Sequence, residues 1–287
     1  MTNEGLYSVV LRLCAKDAGG TVHGRLVHAA FLSWMRAADP ALAVELHQDG
    51  QARPFTVAIL PNADVSSRDL LLRCTFLDDR LHAAFLTRLN VNGSSPIVRL
   101  GDASYSIDAA PIGAGVDGWT RRSTWQEVAA TATSCHEVDI EFYTPTCFSR
   151  DDGSPRKRLE LFPQPEWVWR SWAAKWGRFG PASLPVESAA EQARRWVLVS
   201  GYTLQTATLN YGRFKQKGFR GVIGYELQPG TPEAAARLLN ALADFAFYGG
   251  TGYKTAMGLG QTRRLQSGLR GADRQATGGR TESVVPR

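Results

Sequence analysis

The chain has 287 residues, 44% of them hydrophobic and 21% charged, with a net charge of +6. That length suits one large domain or two ordinary ones, and the composition suits a packed core rather than a disordered or fibrous chain. No apolar run reaches the roughly 18 residues of a membrane span, the opening MTNEGLYSVV has no signal-peptide pattern, and Cys14, Cys74, Cys135 and Cys147 are too scattered for a zinc site. A cytoplasmic protein with no metal, no cofactor and an acidic partner is expected.

Alternation and β-branched residues predict a first strand over Leu6 to Leu13. Val27, Phe31 and Trp34 then form one helical stripe in Leu26 to Ala38. Asp39 caps a second helix that opens on Pro40 and runs from Ala41 to His47. Strands are expected over Arg53 to Leu60, Asp69 to Leu77, Pro96 to Leu100 and Tyr105 to Ala109, with a helix over Asp79 to Leu89. Gly113 to Gly118 reads as loop, and Thr124 to Thr131 as a short helix with a Thr124–Glu127 capping box.

A second unit begins with the alternating strand Glu137 to Tyr143. A charged turn over Arg150 to Arg158 precedes a helix, Glu166 to Trp176, whose Trp169, Trp172 and Trp176 read as a core stripe. Strands over Trp196 to Gln205 and Gly218 to Leu227 lead to a helix over Pro232 to Phe247 and a short strand over Gln261 to Leu265. Each half follows the βαββαβ order of an α+β, ferredoxin-like (RRM-like) unit. The expected division is 1–135, 136–267 and a disordered tail over 268–287.

The most distinctive stretch is GGTGYKTAMGLGQTR, Gly249 to Arg263. Gly249, Gly250, Gly252, Gly258 and Gly260 surround Lys254 and Thr255. Such a loop can offer peptide N–H groups to an anion. It is not a nucleotide-triphosphatase P-loop, because it leaves a helix C-terminus and has Tyr253 where that motif needs glycine.

Among His23, His28, His47, His82 and His136, two stand out. His28 borders the first helix's apolar stripe, and His47 lies in the last turn of the second helix, where unpaired carbonyls favour a cation. RNA carries its own nucleophile, the 2′-OH, so its cleavage needs a proton acceptor, a proton donor and charge stabilisation rather than a metal-activated water. Basic residues gather in the second half as Arg156, Lys157 and Arg158, then as Arg213, Lys215, Lys217 and Arg220 interleaved with Tyr211, Phe214 and Phe219. Lys and Arg suit phosphates, and aromatic rings suit unpaired bases.

Five stretches together resemble one family. They are Gly24 to Leu60, IEFYTPTCF (Ile140 to Phe148), LFPQPEWVWRSWAAKW (Leu161 to Trp176), KGFRGVIGYEL (Lys217 to Leu227) and FAFYGGTGYKTAMGLGQTR (Phe245 to Arg263). The family is that of the CRISPR-associated repeat-RNA endoribonucleases, the sixth Cas family. The resemblance implies tandem ferredoxin-like domains that bind CRISPR repeat RNA and cut the precursor transcript once per repeat, without metal, leaving a 2′,3′-cyclic phosphate and a 5′-OH. It carries the catalytic histidine to His47 in ELHQDG, with His28 as second participant, and leaves open which is acid and which base. Arg53 stands where a lysine is common; a guanidinium is restricted to stabilising charge. Lys254 and Thr255 are expected at phosphate. A monomer or homodimer is expected, with other Cas proteins of an effector complex as candidate partners. A repeat-RNA-binding subunit without catalysis is the alternative.

Overall fold

A computed structural model describes residues 4–17, 21–48, 52–61, 68–89, 96–108, 118–130, 132, 134–150, 158–212 and 214–265. The alternating apolar residues of β1 (Gly5–Ala15) make it the centre of a first antiparallel sheet. The chain continues through α1 (Gly24–Ala38), α2 (Pro40–Gln48), β2 (Phe55–Leu60), β3 (Leu70–Phe76), α3 (Asp79–Leu89), β4 (Ile97–Leu100) and β5 (Ala103–Asp108). Strand order is β2-β3-β1-β5-β4, so β5 takes the fourth place of a ferredoxin-like βαββαβ unit and β4 is a hairpin partner added outside it. Asp39 caps α2 as expected: its carboxylate accepts the Leu42 N–H at 3.0 Å. Phe31, Phe55, Phe76 and Phe85 close the apolar layer between sheet and helices.

β6 (Arg121–Thr124), which the sequence did not announce, pairs with the start of β1 and feeds α4 (Trp125–Ala130). The capping box is formed. Thr124 Oγ1 accepts the Glu127 N–H at 3.0 Å, and Glu127 accepts the Thr124 N–H at 2.9 Å.

The second sheet starts with β7 (Glu137–Thr146), followed by the small hairpin of β8 (Phe148–Arg150) and β9 (Arg158–Glu160). Then come α5 (Pro165–Phe179), α6 (Ala189–Trp196), β10 (Val197–Asn210), β11 (Lys215–Leu227), α7 (Glu233–Gly249) and β12 (Thr262–Arg264). The order β10-β11-β7-β12 repeats the topology of the first sheet. Trp169, Trp172 and Trp176 are fully buried, as their spacing predicts, and Trp169 Nε1 donates to the Leu239 carbonyl at 2.9 Å. The two sheets share an apolar layer: Leu6, Val10, Leu60 and Leu77 of the first pack into the same cluster as Trp119 and Phe247.

Two expectations need correcting. β10 and β11 run on to Asn210 and Lys215, well past the predicted limits, as a long two-stranded arm. Its outer part escaped a pattern-based reading because most of its β10 residues lie exposed, so apolar alternation stops where packing stops. α6 was also unread; it is short and rich in alanine and arginine. The loop expected before Gly118 (113–117), the centre of the charged turn (151–157) and the tail beyond 265 lie outside the described residues. Among the described residues no helix is long and apolar enough to cross a membrane.

Candidate active site

The glycine-rich stretch after α7 is held from three sides. Gly250, Gly252, Gly258 and Gly260 all have positive φ, and Lys254 (φ 56°) is the only non-glycine with positive φ among the described residues. Gly252 has no substitute: at φ 78° a Cβ would also overlap the Cys147 carbonyl. From α5, Ser171 Oγ accepts the Gly252 N–H at 2.7 Å, and Trp172 Nε1 donates to Thr251 Oγ1 at 2.8 Å. One turn on, Lys175 Nζ donates to the Gly249 carbonyl and to Thr255 Oγ1, the latter at 2.7 Å. From α1, Gly24 allows close approach to the Met257 carbonyl, and the His28 Nδ1 lies 2.9 Å from the Ala256 carbonyl.

That last contact fixes the imidazole. A carbonyl oxygen only accepts, so Nδ1 carries the proton and Nε2 is the nitrogen that can gain or lose one.

Much of the loop's backbone is already engaged within the protein. The N–H groups of Gly250, Thr251, Tyr253, Met257 and Gly260 donate to backbone carbonyls, and that of Gly252 to Ser171. Beside the loop lies a cleft of about 450 Å³. His28, Arg53, Arg170, Lys175 and Lys254 line it, with Trp167 beneath Arg170. Among the described lining residues none is acidic. The Arg170 guanidinium lies 4.6 Å from the Trp167 ring centroid. Lys254 Nζ lies 4.4 Å from the Phe214 ring, 5.1 Å from Tyr253 and 5.3 Å from Tyr211, a cage that holds the ammonium at the cleft.

Behind the loop lies a buried polar connection to the first sheet. Arg73, fully buried on β3, donates to Ser8 Oγ at 3.0 Å, to Gln261 Oε1 and to the Phe247 carbonyl at 2.6 Å. Its guanidinium lies 4.6 Å from Trp119 and 4.5 Å from Phe247, beside the two rings, which stack on each other. Thr75 Oγ1 donates to the Tyr248 carbonyl at 2.7 Å, and Gln261 Nε2 donates to Thr56 Oγ1 at 3.3 Å.

Of the residues picked from the sequence, His28, Arg53 and Lys254 meet at this cleft. Thr255 is there too, but it is buried and its hydroxyl is engaged by Lys175. His47 sits in the last turn of α2, and its side chain lies outside the described residues. Arg156, Lys157 and Arg213 also lie outside them. Arg158 is exposed on β9; Lys215, Lys217 and Arg220 are exposed on β11. Of the aromatics interleaved with them only Phe214 is open, at 39% exposure. Tyr211 is buried with its hydroxyl on the Met257 carbonyl, and Phe219 is core, packed edge-on against Phe142. His82 stacks on Tyr7, and burial, reinforced by Arg122, lowers its pKa.

Arg170 and Lys175 were missed. Both stand on the helix whose tryptophans drew the reading, yet Ser171, Ala174 and Lys175 follow helical spacing on a second face. A lysine four residues after a serine beside a buried stripe was the available signal.

Comparison with known proteins adds an independent line. The model of the CRISPR-associated endoribonuclease Cas6 family matches residues 140–262. No curated protein sequence matches the chain. Among solved structures, a Cas6 (TTHB231) product complex is similar at 28% identity and a TM-score of 0.82, covering 91% of this chain and 100% of the other. Thermus thermophilus Cas6 (TTHB231) is similar at 25% identity and TM-score 0.70, over 92% of this chain and 100% of the other. A Cas6 (TTHA0078) product complex shares 25% identity with a TM-score of 0.74, over 91% and 100%. In its tandem ferredoxin-like fold, in the family match over the second sheet and loop, and in near-complete structural overlap, the chain is similar to the CRISPR-associated endoribonucleases of the Cas6 family.

Proposed function

We propose that the chain binds the repeat of a precursor CRISPR transcript and cuts it by attack of the ribose 2′-OH on the adjacent phosphorus. The observation that carries the reading is the cleft in which His28 faces Arg53, Arg170 and Lys254 with no acid among the described lining residues. Such a cleft attracts a phosphodiester and favours the extra negative charge of its transition state. In the neutral ring, His28 Nε2 is the acceptor and takes the 2′-OH proton as the 2′ oxygen bonds to phosphorus. The bond from phosphorus to the 5′ oxygen breaks, and that oxygen takes a proton from His47, in the last turn of α2. The products are a 2′,3′-cyclic phosphate and a 5′-OH, with no metal required.

On this reading the unit of residues 1–135 supplies the histidines and the unit of 136–267 supplies the loop. Arg158, Lys215, Lys217 and Arg220 contact phosphates farther along the RNA, together with Arg156, Lys157 and Arg213. Solved relatives described as product and substrate-mimic complexes support RNA as the ligand.

The test is incubation with repeat RNA in EDTA, alongside a copy carrying one 2′-deoxy at the cut position. Cleavage that survives EDTA and disappears with the deoxy substitution is expected. Tight binding without product would replace the reading with a repeat-RNA-binding subunit.

A further inference from the structure

Lys175 is out of place as an ordinary phosphate ligand. It lies at the cleft but is 7% exposed, and both of its described acceptors belong to the protein. A lysine buried to this degree is costly unless its hydrogen bonds accomplish something a leucine could not. What they accomplish is local. Thr255, which the ammonium grips by its hydroxyl, directly precedes Ala256, whose carbonyl receives the His28 Nδ1 proton. Gly249, gripped by its carbonyl, begins the same loop at the end of α7. The second anchor opens the loop and the first sits one peptide from the histidine.

We infer that Lys175 is a positioning residue for the reaction: it clamps Thr255 by its hydroxyl so that the carbonyl of the next residue, Ala256, sets the tautomer and direction of the His28 ring. The inference rests on the reading of His28 given under Proposed function, but its first test does not need RNA. Without the clamp, the segment carrying the Ala256 carbonyl loses its nearest anchor on α5; that helix then holds the loop only at Gly252 and Thr251, with Tyr211 on the Met257 carbonyl beyond. The imidazole then samples both neutral tautomers, and half-ångström placement of Nε2 is lost. Misplacement of about 1 Å can cost on the order of 100-fold in rate.

The first experiment records the imidazole nitrogen resonances of the free protein by NMR. The wild type should show His28 in the Nδ1–H form, and Lys175→Met should show a mixture. The second measures single-turnover cleavage of repeat RNA. Lys175→Met should cut roughly 10- to 100-fold more slowly with RNA affinity within about threefold, and should add less than about twofold to the loss already caused by His28→Ala. Thr255→Val, which keeps volume but drops the hydroxyl, should reproduce both effects, and Thr255→Ser should restore them should Lys175→Met fail to fold. An unchanged tautomer, losses that multiply across the two variants, or affinity falling as far as rate would overturn the assignment. A wild type that binds without cutting refutes the cleavage reading instead, and the NMR result still decides whether Lys175 orients His28.

Discussion

Replacing Arg73 by methionine tests how the two sheets are joined. Methionine keeps the stem's bulk, so the cavity contribution is small and the loss is polar. Three acceptors lose a charged donor: Ser8 Oγ, which keeps its own bond to the Trp119 carbonyl, and Gln261 Oε1 and the Phe247 carbonyl, which are left unmet in a fully buried setting. Leaving a buried acceptor unmet costs about 1–3 kcal/mol each, and the contacts with Trp119 and Phe247 are worth about 1–2 kcal/mol together. Against this stands the relief of no longer burying a guanidinium, itself several kcal/mol. The expected net destabilisation is about 3 kcal/mol. Urea unfolding followed by tryptophan fluorescence measures it, Trp119 lying against the site. Adding Gln261→Leu to Arg73→Met removes one orphaned acceptor, so the double variant should lose at least 1 kcal/mol less than the sum of the singles. A loss under about 1 kcal/mol, or strict additivity, would refute the claim that Arg73 is the polar link between the sheets.

The other expectations follow from single contacts. His28→Ala and His47→Ala should each slow cleavage by about 100-fold or more while RNA affinity, measured by filter binding, changes little; equal losses of both would recast either residue as a contact. Gly252→Ala should disrupt the loop, through strain at φ 78° and overlap with the Cys147 carbonyl, and should show as a lowered Tm together with lost cleavage. Burial lowers the Lys175 pKa to about 7 from its ordinary 10.5, in a cleft lined by Arg53, Arg170, Lys254 and the His28 imidazole, with no acid among the described lining residues. Above about pH 7 the native state has shed that proton while the unfolded chain keeps it until about 10.5, so stability rises with pH across that window. Compared with Lys175→Met, the wild type should gain up to about 1.4 kcal/mol per pH unit there, and parallel curves would refute a depressed pKa.

The parts of the fold that announced themselves are those whose side chains face one core. β1 alternates, α1 carries its stripe, and Asp39 before Pro40 marks the start of α2. β6 did not, because Arg121 to Thr124 holds no apolar alternation and is a strand only through β1. The candidate site was half legible. Histidines, a glycine-rich loop and basic runs are side-chain signals, and His28, Arg53 and Lys254 do converge. What holds them together is mostly backbone: the carbonyls of Gly249, Phe247 and Ala256 have no letter in a sequence. Arg73 in LLLRCTF and Lys175 in SWAAKW were each the single charge in a stretch of mostly buried residues. Such a charge points to a long-range partner without naming it.

The contact between His28 and Ala256 spans 228 residues, which gives the cleft a birth order. A ribosome adding about 5–20 residues per second needs roughly ten to fifty seconds to pass from one to the other. Throughout that interval α1 exists without the peptide that aims its imidazole, and Arg73 waits for Gln261 across 188 residues. A nascent or truncated chain stopping short of Gly249 therefore has half of the machinery and no means of aligning it. The cleft is complete only once the loop beyond α7 and Gln261 have been made.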